Sequence, residues 1–210
     1  MEIKIPTTAP YDDCGRLFRT KTVVIEPGLN VLVGCNGSGK TTLLQMIKRA
    51  LTKEFPDQVI HFDNLRDGGN NSFSSLVFHQ MFDDLATMMC SSEGEKITQC
   101  LGSIAREIGN ATRNNPDKPI FVLLDAVDSG LSIDHIVEVK KDLVDFVCEL
   151  HPETYFITVA NEYEMANGER CWDVTGSKEI RFSDYEDYKR FVLKSREKKN
   201  ERYEKLRKEN

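Results

Sequence analysis

With 210 residues and 34 acidic against 28 basic side chains, a net charge of -6, the chain is long enough for one well-buried α/β domain and short for two. It holds no run of 18 apolar residues and no basic-then-apolar leader at Met1, so the expectation is a cytoplasmic protein without a membrane span or secretory signal. Six cysteines (Cys14, Cys35, Cys90, Cys100, Cys148, Cys171) lack any C-x-x-C pair, which argues against a zinc site and a disulfide framework.

In chain order, Lys21 to Ile25 and Leu29 to Val33 read as two strands around Pro27-Gly28, a hairpin-like entry into the core. Leu43, Leu44, Ile47, Leu51 and Phe55 then recur at helical spacing before Pro56. A short strand "QVIHF" follows, then a loop "NLRDGGNNS", a helix over "FSSLVFHQMFDDLATMM" and a second helix from near Glu95 to about Thr112. "IFVLL" is an apolar run with Pro119 at its start, as expected of a parallel strand buried on both faces. The next helix places Ile133, Ile136, Val137, Leu143, Val144, Val147 and Leu150 on one face, and "TYFITV" is another buried strand. "CWDVTGSKEIRF" holds the only tryptophan and reads as a terminal strand packed on the core.

A last helix is expected from Ser183, whose spacing to Glu186 matches a capping box. From Lys189 to Asn210 it carries ten Lys or Arg and four Glu, a net +6, leaving about -12 for the rest. Such a run is a solvated helix laced by pairs such as Glu201 with Lys205 and Glu204 with Lys208, or a contact for nucleic acid or an acidic partner. Strands alternating with helices predict a mostly parallel sheet flanked by helices, with an N-terminal antiparallel β portion. The domain is expected over residues 1–182, with 183–210 as its basic C-terminal helix.

The strongest chemical signal is "GCNGSGKT", Gly34 to Thr41, which matches G-x-x-x-x-G-K-[ST] between an expected strand and an expected helix. Gly34, Gly37 and Gly39 let backbone N–H groups, with those of Asn36, Ser38 and Thr42 nearby, converge on a phosphate at the helix N-terminus. Lys40 would reach the β and γ phosphates of a nucleotide; Thr41 would place its hydroxyl on magnesium, with Asp125 holding the ion at the end of the "IFVLL" strand.

The segment "IEPGLNVLVGCNGSGKTTLL" resembles the phosphate-loop segment of ABC-class ATPases, and its lead-in is nearer to the RecF and SMC branch than to transporters. The resemblance covers roughly Pro27 to Asn161. It implies ATP and Mg2+ as cofactors and a head-to-tail homodimer with two nucleotides between the subunits. In that family a signature of the L-S-G-G-Q type opens a helix and touches the opposite subunit's nucleotide. "SSEGE" is similar to it: Ser92, Gly94 and Glu95 fit, Glu93 does not, and Ser92-x-x-Glu95 is equally a capping box. "DSGLS" is similar to the family's S-G-L-D interface loop in Ser129, Gly130 and Leu131, with Ser132 in place of aspartate.

The family usually carries a glutamate base directly after the magnesium aspartate, where this chain has Ala126. Ala160 and Asn161 stand near the place of its γ-phosphate histidine, and Asp63, Asn64 or the more distant Gln80 near that of its magnesium glutamine. Three readings of Ala126 stay open: Asp128 turns in as base; the protein is a slow hydrolase or a nucleotide-gated module; or Ala126 is an engineered replacement of glutamate. Tyr11 and Phe18 are candidates to stack on adenine or to pack in the core.

The implied function is a coiled-coil-free ATPase head coupled to a DNA-processing or nuclease partner, since no segment sustains apolar a and d positions over three heptads. The alternatives are a non-hydrolysing nucleotide-gated regulator in a phage or antiphage module and the energy-coupling subunit of a transporter.

Overall fold

A computed structural model describes residues 3–6, 18, 22–63 and 93–209, the last stretch by backbone alone at 93–100, 202–203 and 205–209. The expected loop from Asn64 and the helix over "FSSLVFHQMFDDLATMM" lie outside these residues, as do Tyr11, Gln80 and Ser92.

The elements are β1 (Ile3–Pro6), β2 (Thr22–Ile25), β3 (Gly28–Val33), α1 (Lys40–Glu54), β4 (Val59–Asp63), α2 (Glu93–Asn114) and β5 (Ile120–Asp125). Then come α3 (Ile133–Glu138), a π-helical stretch (Val139–Asp145), α4 (Phe146–Leu150), β6 (Thr154–Val159), α5 (Tyr163–Ala166), β7 (Arg170–Asp173), β8 (Lys178–Ile180) and α6 (Tyr185–Glu209).

A six-stranded sheet runs β4-β5-β6-β3-β7-β8, parallel throughout except for the antiparallel β7–β8 pair. Because side chains alternate along a strand, β3 sends Val31 and Val33 to one face and Leu32 to the other. On the first face α2 brings Leu101, Ile104 and Ile108, α3 brings Ile136, and α6 brings Tyr188. On the second, α1 packs Leu43, Leu44, Ile47 and Leu51 against Leu32, Phe121, Tyr155 and Ile157, and is covered by Ile3, Ile5, Val23 and Ile25 of the antiparallel β1–β2 pair. Each of those α1 side chains contributes about 1.5–3 kcal/mol on burial. That outweighs the few tenths that β-branched Thr41 and Thr42 cost the helix's first turn.

Three expectations are corrected. β2 and β3 do not form a hairpin: β2 pairs with β1, whereas β3 pairs with β6 and β7 in the other sheet. Asn30 sets this crossing, since its side chain accepts from Glu26 N–H at 3.1 Å and donates to the Glu26, Gly28 and Phe156 carbonyls. The helical face after β5 is not continuous either. Ile136, Leu143 and Val144 are buried, but Ile133, Val137 and Leu150 are 62%, 52% and 69% exposed. The wider π-helical turns between α3 and α4 shift the phase that a 3.6-residue repeat assumes.

Helix α6 is capped one residue later than expected. Asp184 Oδ1 accepts from Asp187 N–H at 2.8 Å and Asp187 Oδ2 accepts from Ser183 N–H at 3.3 Å. Of the two places open to Phe18, it takes the core: it is buried, its ring 3.6 Å from where a Cβ on Gly39 would sit, and so packs under the start of α1. Trp172 lies partly buried on β7 against the second core face. Ion pairs along α6 join Lys189 with Glu186 and Arg190 with Asp187, while the Lys205 and Lys208 side chains lie outside the described residues. Among the described residues no helix is long and apolar enough to cross a membrane.

Candidate functional site

The site forms where β3, β5 and β6 end together, the side of a parallel sheet where ligands bind in open α/β folds. β3 stops at Val33 and α1 starts at Lys40, so Gly34 to Gly39 make a short loop that points a helix N-terminus back across the sheet edge. Gly37 and Gly39 have φ of 73° and 98°, the left-handed region that disfavours side chains, and Gly39 is the N-cap of α1. Ser38 N–H closes the turn on the Cys35 carbonyl at 3.1 Å.

Lys40 is buried, and its ammonium donates to the Gly34 carbonyl at 2.8 Å and the Cys35 carbonyl at 3.5 Å. Burial pushes its pKa below the ordinary lysine value, with Cys35, Asp128 and Asp125 pulling the other way. Thr41, in the first turn of α1, donates its hydroxyl to Asp125 Oδ1 at 3.1 Å, 84 residues away in sequence. Asp125 ends β5 and is buried, which raises its pKa; the Thr41 bond and the Lys40 charge oppose the rise, and Asp63 adds to it. Asp63 ends β4 directly beside Asp125 in the strand register. The sheet thus brings together Lys40, Thr41, Asp125 and Asp63.

Ala126 follows Asp125 with φ 53°, an uncommon conformation for a residue with a Cβ, and is half-buried. Asp128, the carboxylate that could turn in as base, is held by the loop after β6. It is 1% exposed, and Oδ2 accepts from the backbone N–H of Asn161 at 2.6 Å and of Glu162 at 2.7 Å, while Oδ1 accepts from the Asn161 amide at 3.3 Å. Burial raises its pKa, and those backbone bonds partly offset the rise. The Asn161 amide also donates to Ser129 Oγ at 2.9 Å, so the loops after β5 and β6 are tied together. Asp128→Ala leaves two inward N–H groups unpaired, at about 1–3 kcal/mol each. We expect a loss of about 2–5 kcal/mol, read as a fall in Tm of roughly 5–15 °C in a thermal melt.

In the loop from Ser129 to Ser132, Gly130 has φ 92°, Leu131 is buried, and Ser132 is the N-cap of α3 with its hydroxyl 2.8 Å from His135 Nδ1. Gly94 and Glu95 lie in the first turn of α2. Ala160 is buried with its N–H on the Leu32 carbonyl, at the expected place of a γ-phosphate histidine.

Sequence reasoning missed a group of residues from the far end of the chain. Ser195 Oγ accepts from Cys35 N–H at 3.2 Å and shares a 2.6 Å hydrogen bond with Thr175. Lys199 donates to the Asn36 carbonyl at 3.0 Å, and Tyr188 donates to the Asn161 carbonyl at 3.1 Å. No local motif marks them; the only available signal is that Tyr188, Ser195 and Lys199 recur on one face of a helix.

A family model described as AAA domain matches residues 16–210, the phosphate loop and the Asp125 strand included. The chain belongs to this AAA domain family. Among curated proteins none matches it. Of solved structures, this AAA domain is similar to cbiO1 from Clostridium perfringens, part of the ABC transporter complex cbiONQ. The identity is 15%, with 84% of this chain and 86% of that chain covered at a TM-score of 0.50. It is also similar to a nucleotide-free ATP-binding cassette from an ABC transporter, at 15% identity, 93% and 98% coverage and a TM-score of 0.49. At such identity the likeness to cbiO1 is one of fold, an ABC-type P-loop ATPase architecture.

The residues present in the AAA domain fit a nucleotide with magnesium. Ser38 Oγ is buried in the phosphate loop without a hydrogen-bond partner, and the desolvated Lys40 ammonium rests on neutral carbonyls. Thr41 and Asp125 supply two hard oxygens. No group of three or more His, Cys, Asp or Glu among the described residues forms a metal cage. Magnesium takes few protein ligands and completes its shell with water and phosphate, which suits such a set.

Proposed function

We propose that this AAA domain is an ATP-binding head of the ABC class and of the RecF/SMC kind, closing as a head-to-tail homodimer around ATP and Mg2+ and passing that closure to a DNA-processing partner. One observation carries the reading: Lys40 and the Thr41–Asp125 pair converge on the phosphate loop. In this reading the loop N–H groups and Lys40 hold the β and γ phosphates, and Thr41 and Asp125 orient the metal. Magnesium, when bound, supplies charge neutralisation on those phosphate oxygens. In the same reading Gly94 and Glu95, in the first turn of α2, and the loop from Ser129 to Ser132 meet the second subunit, while Ser92 lies outside the described residues. The DNA side of the proposal is supported by the net +6 of residues 189–210 on a helix that touches the phosphate loop.

A second reading is favoured by a separate observation. With Ala126 after the metal aspartate and Asp128 engaged by the Asn161 and Glu162 N–H groups, the segment that follows Asp125 presents no carboxylate to a water at the metal, as suits a nucleotide-gated regulator that does not hydrolyse. Energy coupling to a transporter rests on fold likeness alone.

The mass of the chain in solution, measured with and without ATP and Mg2+, tests the proposal. A doubling on ATP supports the sandwich. A monomer at saturating nucleotide contradicts it.

A further inference from the structure

Three side chains of α6 grip the nucleotide site from one stripe. Tyr188, Ser195 and Lys199 are spaced by seven and four residues, which puts them on one helix face, and they span about 16 Å at 1.5 Å per residue. Tyr188 holds the loop after β6 through the Asn161 carbonyl; Ser195 and Lys199 hold the phosphate loop through Cys35 N–H and the Asn36 carbonyl.

The direction of each bond matters because the C=O and N–H of a trans peptide point opposite ways. The peptide joining Gly34 to Cys35 gives its N–H to Ser195, so its carbonyl points away from α6, and that carbonyl is the one Lys40 rests on. The α6 side of the loop is therefore its outside and the Lys40 side its inside. The peptide joining Asn36 to Gly37 gives its carbonyl to Lys199 on the outside, so the Gly37 N–H is turned inward. Lys199 stays beside that residue, with Nζ 3.5 Å from where a Cβ on Gly37 would sit. Ser195 is buried and fixed by Thr175 from the β7–β8 turn, so this hold is built into the fold.

We propose that Ser195 and Lys199 are positioning residues of the nucleotide site, orienting two peptides of the phosphate loop from behind so that Lys40 and Gly37 N–H are set for phosphate before nucleotide arrives. The inference rests on the ATP-binding reading above.

The test is titration of the full chain with a fluorescent ATP analogue and with ADP, both with Mg2+, alongside melts of the nucleotide-free protein. Lys199→Ala is expected to weaken both nucleotides about fivefold to tenfold, the scale of one ordinary net hydrogen bond, with the nucleotide-free Tm held because the bond is solvent-exposed. Lys199→Arg is expected to recover most of the loss. Ser195→Ala weakens binding similarly and also lowers Tm, since Cys35 N–H is left unpaired. Native affinity in Lys199→Ala and in Ser195→Ala overturns the inference while leaving ATP binding intact. A native chain that binds neither nucleotide overturns the ATP-binding reading and this inference together.

Discussion

Ala126→Glu raises phosphate release from ATP by about 10²- to 10⁴-fold over the chain as it stands, the range that a positioned general base contributes. Ala126 directly follows Asp125, whose carboxylate meets Thr41 in the proposed metal position, so a glutamate there would stand beside the proposed nucleotide site. The residue already sits at φ 53°, and both alanine and glutamate carry a Cβ, so the exchange adds little backbone strain. Asp128 is buried, with its oxygens bonded to Asn161 and Glu162, so the gain is expected to come from the new carboxylate. Single-turnover phosphate release from both forms at saturating ATP measures the effect. An unchanged rate in a folded, ATP-binding variant would place the base on another element.

Lys40→Ala weakens ATP binding by about 10²- to 10³-fold while leaving the nucleotide-free protein at least as stable as the native chain. Hydrogen bonds to a charged group contribute about 1.5–3 kcal/mol each, and two from one ammonium to phosphate oxygens reach the lower end of that range in affinity. The stability half follows from burial: Lys40 is desolvated, its pKa is pushed down, and its partners in the free protein are neutral carbonyls. Removing it therefore sheds a buried charge. Calorimetric titration and a melt on the same sample check both halves, and a large fall in nucleotide-free Tm would show Lys40 to be structural.

Much of this site was readable because its parts are local. Gly34 to Thr41 is contiguous, and the unbroken apolar run into Asp125 is what a central parallel strand requires. What escaped depends on partners far away in sequence or on irregular geometry. The β2–β3 pairing failed because Pro27-Gly28 looks like a hairpin turn, while the decisive group is Asn30, which bonds to Phe156 across 126 residues. The helix after β5 escaped in two ways: Ile133 and Val137 are exposed within α3 itself, and the π-helical stretch that follows changes the period before Leu150, which turns outward. Asp128 was ambiguous in sequence because its role is set by Asn161, 33 residues on. The hold of Ser195 and Lys199 on the phosphate loop spans more than 150 residues, and in sequence they are two side chains on a basic helix.

The measurement that bears most directly on the account is an equilibrium titration of the native chain with ATP, with and without Mg2+, repeated on Lys40→Ala. The account predicts saturable binding of one ATP per chain, strengthened by Mg2+, displaced by ADP and lost in the variant. Absence of binding at millimolar ATP, or binding that Lys40→Ala leaves unchanged, would contradict it.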